Sequence, residues 1–466
     1  MHITPFFLIV PVSIFIAIYR PKWLVYLLII SLTLQVSSIV NIGNYSMQIY
    51  RFMTILISIL FLIEKLFFNN LKIRFTCKNL KIILFYGVLF SLFTFFYAMV
   101  GPFIFEGYLV YPAYLGIDFS AIYGPSPLKF SEYNIAFPIY IIFYVLTLGY
   151  IITTKWRHED ILALQKSFGI SIFIVFITGL SQVSSYYLGT FDITKIFYTT
   201  VTRDKELNYS IIGEFLPIPR VQATYLEPSM LSPFITGFFA LYFYKFLNNI
   251  SKLSSYFVSF LSLIIVVLST STTAYVTLGV VFLLIILFNK PFKFRSDFRL
   301  FIIKSKLKAY ILVSFLLLIV FIPFIHFTIG WGNLFKILDL YLINKSGSGS
   351  FENRTIADLF ALKLFVETYG LGVGLGSNRP SSLLPYLLSQ CGIIGTFIFF
   401  YFIFSILRFT YTVLRKTQDF GYFFLLPAVL IAQLIAYPDI TNPTLWQFIY
   451  IVTIVSLWRT KNETLH

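Results

Sequence analysis

The chain has 466 residues, 58% of them hydrophobic, 20% aromatic and only 12% charged. With a mean hydropathy of +0.85 this excludes an ordinary soluble domain and points to a polytopic membrane protein. The net charge of +16 gathers in Lys/Arg-rich connectors at 20–23, 69–81, 154–160, 245–255, 289–308, 408–421 and 459–466, which the positive-inside rule places on the cytoplasmic side, so it is topological and excludes nucleic acid as a partner.

Apolar windows at 3–19, 24–40, 49–68, 82–100, 135–153, 161–180, 231–247, 256–270, 273–288, 309–328, 386–407, 422–437 and 445–458 predict an all-α helical bundle of about thirteen spans. The whole chain reads as one integral membrane domain. With the tail inside, alternation puts Met1 outside, and the first window reads as a retained span because Arg20, Pro21 and Lys22 follow it in place of a small-residue cleavage site. Cys77 and Cys391 predict no disulfide framework, and His2, His158, His326 and His466 lack ligand spacing, so no metal site is expected.

Three external connectors, 101–134, 181–230 and 329–385, are longer than simple turns. The first carries Tyr108, Tyr111, Tyr114 and Tyr123, an aromatic surface for the membrane interface or for a sugar ring. The second carries Arg203, Asp204, Lys205, Glu206 and Glu214, then PIPRVQATYLEPSMLSPF at 217–234. There Arg220 and Glu227 stand at the mouth of a span, and Pro217, Pro219 and Pro228 predict a broken segment. Ionisable groups at that depth are functional candidates, with a structural Arg220–Glu227 ion pair as the plainer reading. The tip of the following hairpin, Ser269 to Tyr275, has six hydroxyl-bearing residues in seven, including Ser271 and Thr272. These suit hydrogen bonds to phosphate or sugar oxygens, or simple helix packing. The basic stretch 289–308 is an anchor against anionic lipid.

The stretch 346–396 concentrates the remaining chemistry. A flexible Ser346-Gly347-Ser348-Gly349-Ser350 approach leads to a helix predicted at about 354–369, with Asn353 or Glu352 as its cap. Arg354 with Asp358 and Lys363 with Glu367 are spaced for i,i+4 ion pairs. Gly370, Gly372, Gly374 and Gly376 then alternate with apolar residues, so the backbone can turn sharply or approach a ligand, and Arg379 comes soon after. Guanidinium groups beside a glycine turn suit an anionic lipid head group, and a loop whose arginines only pair with neighbours is the alternative.

RVQATYLEPSMLSPF at 220–234, LSTSTTAYVTLGVVFLL at 268–284, ENRTIADLFALKLFVETYGLGVGLGS at 352–377 and QCGIIGT at 390–396, in this order, resemble the Wzy-type O-antigen polymerases of the polymerase and ligase family. The resemblance covers roughly the second half of the chain. It implies a GT-C-like membrane glycosyltransferase of the bacterial inner membrane, with its active site on the periplasmic face, joining repeat units carried on undecaprenyl diphosphate. By that resemblance Arg220 and Arg354 fall on the family's important external arginines. The related ligases show a histidine where spacing puts Ser381, and a serine cannot replace imidazole as proton acceptor near neutrality, so polymerisation is favoured over ligation. A flippase of lipid-linked glycan is the other alternative.

The implied chemistry needs a cation at the leaving diphosphate. No acidic cluster of ligand spacing stands among the external residues, so no cofactor or metal is expected and guanidinium groups take that place. Arg220 and Arg354 are expected to clamp the diphosphate. Arg379 supports them, and backbone N–H groups of the glycine turn, around Gly372 and Gly374, are expected to add donors. Glu227 is the first choice of base for the acceptor hydroxyl and Glu352 the second. Expected partners are the lipid-linked glycans, membrane lipids and a chain-length regulator protein.

Overall fold

The computed structural model describes residues 2–43, 45–67, 78–113, 124–201, 220–248, 250, 252–289, 292–293, 302–303, 349–415 and 417–463. Tyr114, Tyr123, the charges at 203–214, Pro217, Pro219, Cys77, His326, His466, the window 309–328 and the approach at 346–348 lie outside these residues.

The described chain is mostly helical: α1 (Ile9–Tyr19), α2 (Pro21–Ser31), α3 (Ile49–Phe67), α4 (Lys78–Ile104), α5 (Glu132–Thr153), α6 (His158–Leu188), the short α7 (Thr194–Phe197), α8 (Pro228–Leu247), α9 (Lys252–Ser269), α10 (Thr272–Asn289), α11 (Gly349–Glu367), α12 (Leu383–Leu414), α13 (Leu425–Ile435) and α14 (Pro443–Glu463). Six helical stretches among the described residues are long and apolar enough to cross a membrane: α4, α5, α6, α8, α12 and Gln418–Ile435, where a 3-10 turn leads into α13. Four shorter apolar helices, Pro5–Tyr19, Pro21–Ser31, Ser254–Ser269 and Thr272–Phe288, accompany them.

The axis of the bundle is α14. Leu445 to Ser456 are buried without a break, on every side of the helix, as expected of a helix wrapped by others. Two of its polar side chains bond to neighbouring helices: Gln447 Nε2 donates to the Ile29 carbonyl at 2.7 Å and Tyr450 Oη to the Tyr144 carbonyl at 3.0 Å. Trp446 stacks on Tyr144 at 4.9 Å between ring centres. Helices α5, α6, α12 and α13 pack around it.

The predicted span at 24–40 is corrected. Helix α2 stops at Ser31, and Ser38–Ile42 forms strand β2, paired antiparallel with β1 (His2–Ile3) and β3 (Tyr45–Gln48). The physical reason is the polar run that begins in the window and continues just past it. Ser38 Oγ and Asn41 Nδ2 both donate to the Thr199 carbonyl, at 2.8 and 2.7 Å, which fixes an extended chain beside α7. The predicted connectors are also shorter than their windows implied. Helix α6 runs on to Leu188, and the first connector holds a small hairpin of β4 (Leu109–Val110) with β5 (Ser126–Pro127). Strands β6 (Phe292–Lys293) and β7 (Ile302–Ile303) form a separate pair.

The predicted helix at 354–369 begins earlier, at Gly349, and ends at Glu367. Asn353 and Glu352 therefore lie inside it and do not cap it.

Candidate functional site

The glycine stretch is built into a broken helix. Helix α12 loses its regular backbone at Gly392, whose φ of 63° and ψ of −171° are not helical. The chain at 370–374 inserts at that break. Val373 N–H donates to the Ser389 carbonyl at 2.8 Å, Gly374 N–H to the Gln390 carbonyl at 2.9 Å, and Ile393 N–H to the Gly370 carbonyl at 2.9 Å. The two motifs GVGLG and QCGIIGT thus complete each other's backbone hydrogen bonds, which is how non-helical chain is tolerated inside an apolar bundle. Glycine is required by contact as well as by conformation. A Cβ on Gly372 would fall 2.8 Å from the Gly392 nitrogen, and one on Gly374 would fall 2.9 Å from Pro102 of α4.

This corrects the expected role of Gly372 and Gly374. Gly372 N–H donates to Thr368 Oγ1 at 3.0 Å, Gly374 N–H is held by Gln390 as above, and Gly376 N–H donates to Gln390 Oε1 at 2.7 Å. The donors expected to face a diphosphate are spent inside the protein. The turn positions the next segment of chain and does not itself grip an anion.

That segment, 377–382, is fastened on three sides. Asn134, in the first turn of α5, donates to the Leu375 carbonyl and to Ser377 Oγ, each at 2.8 Å. Asn378 Oδ1 accepts from Tyr111 N–H at 3.0 Å, and Arg379 N–H donates to the Tyr111 carbonyl at 3.0 Å. Asp358 of α11 holds the far end. Its Oδ1 accepts from the N–H groups of Ser381 at 2.6 Å and Ser382 at 3.0 Å, and its Oδ2 accepts from the hydroxyls of Ser381 at 3.4 Å and Ser382 at 2.7 Å. Ser382 is the N-cap residue of α12, so Asp358 caps that helix from another element.

The i,i+4 expectations part company here. Lys363 and Glu367 do pair, at 3.6 Å. Arg354 does not pair with Asp358, because the two serines occupy that carboxylate. Ser381 is buried and engaged in the same clasp. Glu352 is exposed on the first turn of α11.

Arg379 is half-buried, with its guanidinium 3.4 Å from the Ala113 carbonyl. Its field reaches Tyr133, Tyr386 and Tyr437. Burial pushes the Tyr437 hydroxyl well above its ordinary range; Asp439 and Tyr50 push it further, Arg379 opposes, and Glu227 adds to the rise. The charges of Glu227 and Arg379, from two different connectors, thus both act on one tyrosine. Glu227 is also the residue preceding α8, and its Oε2 accepts from Ser229 Oγ at 3.1 Å.

Two residues of this cluster escaped the sequence reading. Arg51 lies in the first turn of α3, its Nη1 donating to Tyr140 Oη at 3.0 Å and its guanidinium 4.2 Å from the centre of that ring. It acts on Tyr133 together with Arg379, and on Tyr50 together with Asp439. Among the described residues no carboxylate lies in ion-pair contact with Arg51. Asp439 stands in the turn between α13 and α14, where its Oδ1 accepts from the Thr441 N–H and hydroxyl, both at 2.7 Å. A lone arginine inside an apolar window was the available signal for Arg51. Asp439 sits in a short connector that nothing in its spacing singled out.

Arg220 stands at the start of the segment that leads to Glu227 and α8. The segment 220–227 is irregular, as its prolines predicted, with Ala223 at a φ of 51°. Val221 N–H donates to the Leu268 carbonyl at 3.1 Å, which ties this segment to the turn between α9 and α10, and Arg220 lies in the field of Tyr275 there. In that turn Ser271 is buried and accepts from Ser232 Oγ of α8 at 3.1 Å. Its hydroxyl is thus engaged in helix packing, the plainer of its two readings. Thr272 beside it is half-buried at the start of α10.

Among the described residues no group of three or more His, Cys, Asp or Glu side chains is arranged to hold a metal ion. A scan against protein-family models finds no match for the chain. A search among curated proteins finds none either.

Proposed function

We propose that this protein is an integral membrane glycosyltransferase that polymerises repeat units carried on undecaprenyl diphosphate, working on the outer face of a bacterial inner membrane. What supports this reading on the structural side is that the charges of Arg379 and Glu227, from two different connectors, both act on Tyr437, as does that of Asp439, while Arg51 acts with Arg379 on Tyr133 and with Asp439 on Tyr50. The four ordered stretches that resemble the Wzy-type polymerases support it. The six helical stretches long and apolar enough to cross a membrane fit an integral membrane bundle, and a GT-C-like arrangement is proposed for it on the resemblance alone.

In the proposed reaction an acceptor sugar hydroxyl attacks the anomeric carbon of the donor glycan as the bond from that carbon to the phosphate oxygen breaks. The bonding electrons leave with the diphosphate, and the hydroxyl proton passes to a carboxylate. Fixed positive charge must meet the growing negative charge, and arginine keeps its charge in a dry site and can hold two oxygens at once. Arg379 and Arg51 are assigned this role beside Arg220 and Arg354, because their charges act on tyrosines on which carboxylates also act. Glu227 takes the proton, with Asp439 as the second carboxylate. Removing one such cation should cost about 3 kcal/mol of transition-state stabilisation, about a hundredfold in rate.

The test is a reconstituted assay with an undecaprenyl-diphosphate repeat unit, with and without chelator, read on a gel. A polymerase yields a ladder that chelator leaves intact and that Arg379→Ala abolishes. A change only in the sidedness of the lipid-linked unit identifies a flippase, and transfer of finished glycan to another acceptor identifies a ligase.

A further inference from the structure

Helix α11 falls within the external connector 329–385, and only one of its faces is covered. Ala357, Ala361, Leu364 and Thr368 are buried, and at 3.6 residues per turn they form a single stripe that packs on α12. The opposite stripe is Thr355, Leu359, Leu362 and Val366. Leu359 is 61% exposed and Val366 72% exposed. An apolar stripe this bare on a helix already docked on its other side needs an apolar surrounding.

The continuation of the stripe shows which one. Tyr369 is 90% exposed, and Leu371 is exposed next to it. Here the chain joins α12 through the bond from Ile393 N–H to the Gly370 carbonyl. Ile393, Ile394 and Phe397 are the exposed apolar residues of α12 at that level, and α12 is one of the helices able to cross a membrane. The bare side of α11 is thus continuous with the surface that a membrane-crossing α12 presents to acyl chains.

The polar groups bordering this stripe suit an interface. Thr355 Oγ1 donates back to the Phe351 carbonyl at 2.9 Å, which satisfies the hydroxyl within the helix. Lys363 and Glu367 pair with each other along one border. A tyrosine at the end of such a stripe is placed as interfacial aromatics are.

We propose that α11 is an interfacial helix, with Leu359, Leu362 and Val366 among lipid acyl chains at the outer membrane surface. The occupant of this face is phospholipid, not a second copy of the chain or another of its own segments. The placement requires only that α12 crosses a bilayer, and it stands or falls independently of glycosyl transfer.

The full chain is reconstituted in phosphatidylethanolamine–phosphatidylglycerol nanodiscs with the photo-cross-linker p-benzoylphenylalanine at Leu359, Val366, Lys363 or Phe397, one position at a time, after each variant is shown to elute as a single species. Adducts of phospholipid mass at Leu359 and Val366, within about twofold of the yield at Phe397 and well above that at Lys363, are expected for a stripe lying in acyl chains. An adduct from Leu359 or Val366 to a peptide of this chain or of a second copy overturns the proposal. So does the loss of lipid adduct at both positions while Phe397 still gives it.

Discussion

Gly392 lies directly against the carbonyl of Leu371, so close that a Cβ at position 392 would overlap that oxygen. The contact exists because α12 is broken at this residue and the preceding glycine turn fills the break. Substitution should therefore act on the fold before it acts on any chemistry. Gly392→Ala faces both a left-handed φ of 63° and the clash, and is expected to cost about 3 kcal/mol or more. Gly376→Ala is expected to be comparably severe, since its Cβ would fall 2.5 Å from the Tyr133 carbonyl oxygen. Thermal unfolding of the detergent-solubilised protein checks both. Gly43→Ala is the control for strain alone: it has a φ of 56° but open space around it, and about 1 kcal/mol is expected.

The Asp358 clasp makes a graded prediction. Asp358→Ala removes the acceptor of four hydrogen bonds and leaves two serine N–H groups without their partner at the start of α12, so a loss of about 2–3 kcal/mol is expected. Removing both hydroxyls, with Ser381→Ala and Ser382→Ala together, keeps the two backbone bonds and should cost about half as much. Equal losses from the two changes in the same unfolding measurement contradict this division.

Ser271 separates packing from substrate contact. Its bond to Ser232 joins α8 to the turn before α10, so Ser271→Ala should lower stability by about 1 kcal/mol and leave the ladder unchanged in length and rate. A clear fall in polymer synthesis with unchanged stability would restore the hydroxyl patch as a binding surface.

The parts of this molecule visible from sequence were those set by local pattern. Apolar runs located helices such as α5, α6 and α8, and the alternating glycines announced a sharp turn. Prolines around Arg220 and Glu227 announced an irregular segment. The misjudged parts depend on partners far away along the chain. Nothing local to Arg354 and Asp358 shows that serines at 381 and 382 will occupy the carboxylate. Nothing in GVGLG shows that its N–H groups will be consumed by Ser389, Gln390 and Thr368. The window 24–40 averaged over Ser37 and Ser38, whose bonding to residues 197–199 holds an extended chain where hydropathy implied a helix. Arg51 was hidden in a similar way, as the lone arginine of an apolar window.

The two carboxylates facing Tyr437 can be told apart by their surroundings. Asp439 Oδ1 is held by two donors from Thr441 in the turn before α14, so Asp439→Ala removes a structural acceptor as well as a charge. A loss of about 1 kcal/mol in stability is expected beside any loss of rate. Glu227→Gln keeps the side-chain shape at the mouth of α8 and should leave stability nearly unchanged while slowing polymer synthesis by about a hundredfold or more, if that carboxylate accepts the proton. Near-normal turnover in Glu227→Gln removes it from the role.

Arg51 gives the most direct test of the cation assignment, because its guanidinium makes both a hydrogen bond and a ring contact with Tyr140. Arg51→Lys keeps the charge but gives up the planar fork, and an ammonium cannot reproduce two-point contact with a phosphate. If Arg51 meets the leaving diphosphate, the lysine variant should retain a small part of the rate and Arg51→Ala almost none, a fall of about a hundredfold or more. Tyr140→Phe removes the hydrogen bond while keeping the ring, and should cost far less, about 1 kcal/mol. If Arg51→Ala and Tyr140→Phe reduce ladder formation to the same degree, and both in step with their loss of thermal stability, then Arg51 serves the packing of α3 against α5 and not the chemistry.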